Sequence, residues 1–281
     1  MATDHDQIFK QLLTEFFKEF MELFLPDEAA EIDFGQVKFL EKEYFTDVSR
    51  GKKKQLDLVV EAGLKRGGKE FILVHVELQS RRLTDFPLRM YEYYSQLFLR
   101  HRKPIIPIAV FADQAIWRKP IADVYELKFL DKVYIQFHYH LIKLKHYSYR
   151  DFIKSDNPLA YALMTQMGYD KADRWRLKAD FLRLILGARL DAARESILLD
   201  FVESYMGLSD SEQDLFNEVI IEENTYMEVE KMVTVYEKRG IEKGMAEALN
   251  KMVASGISES EAKKILGIKK RRSLRGKMPK K

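Results

Sequence analysis

The apolar residues of this chain follow two rhythms, one of period two and one of period 3.6, and the change between them divides it. Near the start, Ile8, Phe9, Leu12, Leu13, Phe16, Phe17, Phe20 and Phe24 recur at helical spacing. They predict one helix over residues 6–24, ended by Pro26. Residues 36–45 read as a strand in which Val37 and Phe39 alternate and Leu40 breaks the alternation. Two apolar runs follow, 55–61 and 71–79, with the turn signal Gly67-Gly68 between them; they read as the arms of a hairpin. Residues 86–102 predict a helix, with Leu88, Tyr91, Leu97 and Phe98 as packing candidates and Pro87 suited to its first turn. The run 104–111 is almost continuously apolar, as expected of a strand covered on both faces. A last strand is expected at 133–139. This order of elements predicts an α/β architecture, a mixed sheet flanked by helices.

From about Pro158 onward the pattern is helical, over 177–190, 196–205 and 214–239. Gly240 and Gly244 are expected to interrupt the last stretch. A helix over 248–253 and Gly256 precede Ser258-Glu259-Ser260-Glu261, a capping-box signature opening a short helix to Leu266. The pair resembles half of a helix-turn-helix unit. The expected division is a first domain over 1–155, a helical region over 156–268, and a tail over 269–281 expected to be disordered.

Composition narrows the chemistry. The 281 residues include no cysteine, which excludes disulfides and thiolate metal sites; any metal must rest on oxygen or imidazole ligands. The acidic start, Met1-Ala2-Thr3-Asp4-His5-Asp6, has no apolar signal core, and no apolar run approaches the ~20 residues of a membrane helix. The expectation is a cytoplasmic protein with no membrane partner. A net charge of +3 hides an asymmetry: residues 269–281 carry eight Lys or Arg and no acid, leaving −5 for the remainder. Lys269, Lys270, Arg271, Arg272 and Arg275 are therefore candidate nucleic-acid contacts. A solvated end that aids solubility is the alternative.

The sharpest feature lies in the hairpin. With the turn centred on Gly67, Asp57 falls opposite Glu77, and alternation puts Asp57, Glu77 and Gln79 on one face. Like charges in opposed positions are destabilising, and a divalent cation between them removes the penalty. Opposed Cβ atoms lie ~4.5–5.5 Å apart, within reach of one ion. Either acid could instead pair with a basic residue such as Arg81, Arg82 or Lys54. His75, on the same face, reads first as a packed or hydrogen-bonded histidine and second as a metal ligand.

Asp57 followed by Glu77-Leu78-Gln79 resembles the PD-(D/E)XK nuclease signature. Further segments narrow the match: Phe9-Lys10, Asp57-Leu58-Val59-Val60, Val74 to Ser80, Phe86 to Tyr93, and Pro107 to Asp113. Together they resemble the Rpn family of recombination-promoting nucleases, also described as YhgA-like transposases, over residues 4–113 and with less detail to 150. The resemblance implies a restriction-endonuclease-like fold and a metal-dependent DNA endonuclease. It implies Asp57 and Glu77 as ligands to Mg²⁺ or Mn²⁺, the carbonyl of Leu78 as a further ligand, and Gln79 in the place of the signature lysine. Such a site would hydrolyse a phosphodiester through an activated water and metal-neutralised phosphate charge. No small-molecule cofactor is implied. The partners are DNA and, by analogy with enzymes that cut both strands, a second copy in a homodimer.

Gln79 departs from the superfamily pattern. A neutral amide can orient a water or a phosphate oxygen, but it lacks the charge of an ammonium. Sequences of the Rpn type commonly share this form. Accessory candidates are Asp6, also readable as a helix-start acid, and Lys10, which could simply pair with it. Arg89 and Tyr93, four apart on one helix face, are candidate phosphate contacts or an ordinary surface pair. The rival to catalysis is a degenerate DNA-binding or oligomerisation module on the same fold.

Overall fold

The computed structural model describes residues 2–40, 44–47, 52–55, 57–66, 71–79, 85–115, 117 and 121–266, with side chains left out at 2–6, 44–47, 52–55 and 236–243. The Gly67-Gly68 turn, Arg81, Arg82 and the basic tail lie outside the described residues.

The expected first helix is two, α1 (Ala2–Glu15) and α2 (Phe17–Phe24), broken at Phe16, whose φ of −111° and ψ of 34° are not helical. Consecutive side chains on a straight helix point ~100° apart. The break lets Phe16, Phe17, Phe20 and Met21 all be buried. Pro26 opens another short helix, α3 (Pro26–Glu31), at a position where its missing N–H costs nothing.

The strands follow as β1 (Ile32–Phe39), β2 (Tyr44–Asp47), β3 (Lys52–Gln55), β4 (Leu58–Leu64) and β5 (Phe71–Gln79). Next come α4 (Phe86–His101), β6 (Ile105–Phe111), β7 (Val124–Phe129), β8 (Lys132–His138) and β9 (His140–Lys143). A five-stranded sheet has the order β1-β4-β5-β6-β9, while β2-β3 and β7-β8 are separate ribbons. Strands β1, β4 and β5 pair antiparallel; β5, β6 and β9 pair parallel. The sheet is therefore mixed, as expected. The strand expected at 133–139 exists as β8, but it pairs with β7 and not with the main sheet.

One face of the sheet is covered by α4. Its Phe86, Met90, Tyr93 and Leu97 follow an i, i+4, i+7, i+11 stripe and meet Val59, Leu73, Ala109 and Phe111. Each such side chain contributes about 1.5–3 kcal/mol on full burial. The helix ends at Arg102, whose φ of 54° is left-handed. On the opposite side, Leu58, Val60, Val74, Val76, Ile108 and Val110 are buried too, which accounts for the unbroken apolar runs of β4 to β6.

The later helices are α5 (Tyr149–Phe152), α6 (Pro158–Leu163), α7 (Arg174–Gly187), α8 (Ala192–Tyr205), α9 (Asp210–Glu222), α10 (Met227–Ala254) and α11 (Glu259–Ile265). The chain divides into two compact units, Met1–Tyr226 and Met227–Lys281. Within the first, α8 packs on α1 and α6 on α2, so contacts cross the boundary expected at residue 155. The expected helix over 214–239 is split by a 3-10 turn at Asn224–Tyr226, whereas α10 runs on through Gly240 and Gly244. A glycine costs a helix only about 1 kcal/mol, which strong helix formers around it offset. Gly256, at a φ of 94°, makes the turn before α11, and the Ser258 hydroxyl caps that helix by accepting the Glu261 N–H at 3.3 Å. Among the described residues no helix is long and apolar enough to cross a membrane.

Candidate active site

The sheet topology gathers one set of strand ends. Because β5, β6 and β9 are parallel, their carboxyl ends lie together, and antiparallel β4 brings its amino end to the same edge. Carboxyl ends of parallel strands are where open α/β sheets hold ligands. Leu58 pairs with Val76 and Val59 with His75; one further step puts Asp57 opposite Glu77. The hairpin register read from the sequence is therefore the observed one. Glu77, Leu78 and Gln79 close β5, Phe111 closes β6, and Lys143 closes β9.

Asp57 stands one residue before the ladder with β5 begins. Its Oδ2 accepts the Leu78 N–H at 2.8 Å, so its carboxylate serves the backbone where the strand has not yet started. Glu77 is fully buried. Its Oε1 accepts from Arg89 Nη2 at 3.0 Å and, more weakly, from Gln79 Nε2 at 3.5 Å. Its Oε2 lies 3.4 Å from His75 Nε2. His75, Glu77 and Gln79 alternate on one strand face, and α4 lies over that face. This placement brings Arg89 to Glu77.

Arg89 is held on several sides. Its guanidinium lies 5.5 Å from the Tyr93 ring centre and 5.7 Å from that of Phe86. Burial pushes its pKa down, but Glu77 and Tyr93 outweigh this and raise it overall, so Arg89 stays charged. The expected alternative of a basic partner thus holds for Glu77, with Arg89 of α4 as that partner.

The accessory candidates separate. Arg89 reaches the site through Glu77. Tyr93 is buried, 2% exposed, with its ring edge-on to His75 at 5.9 Å, and so is not on an open phosphate-contacting face. Lys10 lies half-buried on α1, which packs against α8 and α2; Asp6 is on the same helix, with its side chain outside those described. Lys269, Lys270, Arg271, Arg272 and Arg275 lie outside the described residues.

A second charged pair at this sheet edge has little sequence signal. Lys143 is buried, with Nζ 2.6 Å from Asp113 Oδ2 and 4.8 Å from the Trp117 ring centre. Burial lowers its pKa, and Asp113 counteracts that shift. Gln79, Phe111 and Lys143 form one row across β5, β6 and β9. Phe111 stands between Gln79 and Lys143, and the ammonium is committed to Asp113. Asp113 closes the segment Pro107 to Asp113 that the family resemblance includes; Lys143 looks like any surface lysine in the sequence.

In kind, the donors fit a hard divalent cation: two carboxylates at the same edge of adjacent strands, with Leu78, whose N–H Asp57 accepts, offering a backbone carbonyl. The buried His75 nitrogens have no hydrogen-bond partner among the described residues, and imidazole could add a ligand. In number they are sparse, since no cluster of three or more His, Asp or Glu suited to a metal occurs among the described residues. A cation here would share Glu77 with Arg89.

Fold and site together define a mixed α/β protein with Glu77 and Gln79 at the carboxyl end of β5 and Asp57 beside them at the amino end of β4. The chain belongs to the family described as "Putative transposase, YhgA-like", whose model matches residues 3–191. The membership points to a transposase- or nuclease-like function. No curated protein and no solved structure gives a significant match.

Proposed function

We propose that this protein is a divalent-metal-dependent DNA endonuclease, in which Asp57 and Glu77 hold Mg²⁺ or Mn²⁺ and the Leu78 carbonyl adds a ligand. The observation that supports this reading is the strand register that sets Asp57 opposite Glu77 at one sheet edge, in a chain of a transposase family. When bound, the metal supplies charge neutralisation at the phosphate and a water of lowered pKa. The protein residues do the positioning. The Leu78 N–H fixes the Asp57 carboxylate, and Arg89 fixes that of Glu77. Gln79, 9% exposed, presents an amide that can orient a water or a phosphate oxygen. The basic residues 269–275 attract the DNA backbone without reading its sequence.

The test is cleavage of supercoiled plasmid with Mg²⁺ or Mn²⁺ by the wild type, Asp57→Ala and Glu77→Ala. Nicking by the wild type alone supports the assignment; equal nicking by all three removes it. A second reading, a DNA-binding module that has lost catalysis, is favoured by two observations: Gln79 replaces the signature lysine, and Arg89 already neutralises Glu77. Tight, salt-sensitive DNA binding with no metal-dependent nicking would select it.

A further inference from the structure

The β7-β8 hairpin is a ribbon of two strands that pairs with no other strand among the described residues. Its base is anchored to α4: Tyr125 stacks on Tyr91 at 5.2 Å, and Phe137 meets Tyr94 at 4.9 Å. Away from that base it exposes Leu127, Phe129, Leu130 and Tyr134, at 47%, 67%, 84% and 57%. A two-stranded ribbon with an open edge and exposed apolar side chains is a template for pairing with another strand.

The backbone shows which groups that edge offers. The Tyr139 N–H donates to the Asp123 carbonyl at 3.0 Å, in register with the ladder. Bonding alternates along an antiparallel strand, so Asp123, Tyr125 and Leu127 turn their N–H and C=O toward β8. Val124, Glu126 and Lys128 turn theirs outward. The register shift between Leu127↔Ile135 and Lys128↔Val133 puts the extra residue, Tyr134, on β8, leaving β7 regular to its end.

The β7 sequence is nearly self-complementary about Leu127: Tyr125-Glu126-Leu127-Lys128-Phe129. We infer that two copies of this chain associate edge to edge through β7, antiparallel about a two-fold axis at Leu127, forming one four-stranded sheet. Glu126 of one copy then faces Lys128 of the other, twice, and Tyr125 faces Phe129. Within one chain Glu126 already binds Lys128 at 2.5 Å, so the dimer gathers four alternating charges. The neighbouring registers are excluded by charge. An axis at Glu126 opposes two glutamates, and one at Lys128 opposes two lysines. A glutamate on the pairing edge also argues against DNA as the occupant. The inference does not rest on nuclease activity.

Sedimentation equilibrium of the full chain tests it. The wild type is expected to be a dimer at micromolar concentration. Glu126→Lys and Lys128→Glu each place like charges across the axis twice and should weaken association about tenfold or more. The double variant Glu126→Lys/Lys128→Glu should restore it. An equimolar mixture of the two single variants should form a heterodimer, because each supplies the charge the other lacks. Unchanged circular dichroism would show that the single variants remain folded. A monomeric wild type, single variants as dimeric as the wild type, or a mixture that stays monomeric would each overturn the inference.

Discussion

Replacing Arg89 by methionine probes the electrostatics of the site most sharply. The side chain of Glu77 is fully buried, and Arg89 Nη2 lies 3.0 Å from its Oε1. At that separation an effective dielectric of about 20 gives a Coulomb attraction of roughly 5 kcal/mol. Breaking a buried pair by removing one partner costs about 3–5 kcal/mol. Arg89 is 19% exposed and water can reach the vacated space, so the lower end, ~3 kcal/mol, is the expected loss. For a unit of this size that lowers the melting temperature by roughly 6–12 °C. A cation bound by Asp57 and Glu77 would replace the lost charge. Thermal melts with and without Mn²⁺ should therefore show a larger stabilisation of Arg89→Met than of the wild type, about 2.7 kcal/mol at a hundredfold excess over the dissociation constant. Adding Glu77→Gln to Arg89→Met should recover stability without metal and abolish the response to it. A melting temperature unchanged by Arg89→Met, or a smaller Mn²⁺ response in that variant, would refute this reasoning.

Gln79→Lys restores the superfamily ammonium and should raise the plasmid nicking rate at fixed Mg²⁺; a drop would show that the site is built around the amide. Lys143→Met strands Asp113 at a buried edge and should cost about 3–5 kcal/mol in chemical denaturation, partly recovered by adding Asp113→Asn. Tyr226 donates to Asp180 Oδ1 at 2.9 Å, so Tyr226→Phe should cost about 1–2 kcal/mol near neutral pH. Burial, and then that hydrogen bond, raises the Tyr226 pKa from 10.0 to about 12. Its contribution is complete below pH 10 and is lost as pH rises toward 12, where the unfolded chain ionises first. Alkaline melts of Tyr226→Phe should show less loss over that window than the wild type.

The register that opposes Asp57 to Glu77 was legible because strand pairing obeys simple arithmetic. A turn centred on Gly67 sets Asp57 against Glu77, and Leu58↔Val76 lies on that register. Apolar runs bounded by turn residues likewise located β5, β6 and α4 within a residue or two, while β4 lies three residues further along than the expected 55–61. Arg89 stands out in the sequence as a candidate phosphate contact, but its partner does not, because a salt bridge between a helix and a strand has no sequence spacing. Lys143 shows the same limit, since its burial depends on the loop carrying Asp113 and Trp117. The break at Phe16 was hidden because apolar spacing continues through it, although a single helix cannot bury every residue of the run. The partner of β8 is hidden for another reason: period-two alternation reveals a strand without naming its neighbour. β9, four residues long, is too short for periodicity to report.

The central claim is that Asp57 and Glu77 grip one hard cation. Crystals soaked in Mn²⁺ and measured at an anomalous wavelength address it directly. The account predicts a peak bonded to both carboxylates, absent from Glu77→Gln crystals. A peak-free edge at saturating Mn²⁺, with Arg89 still seated on Glu77, would contradict it.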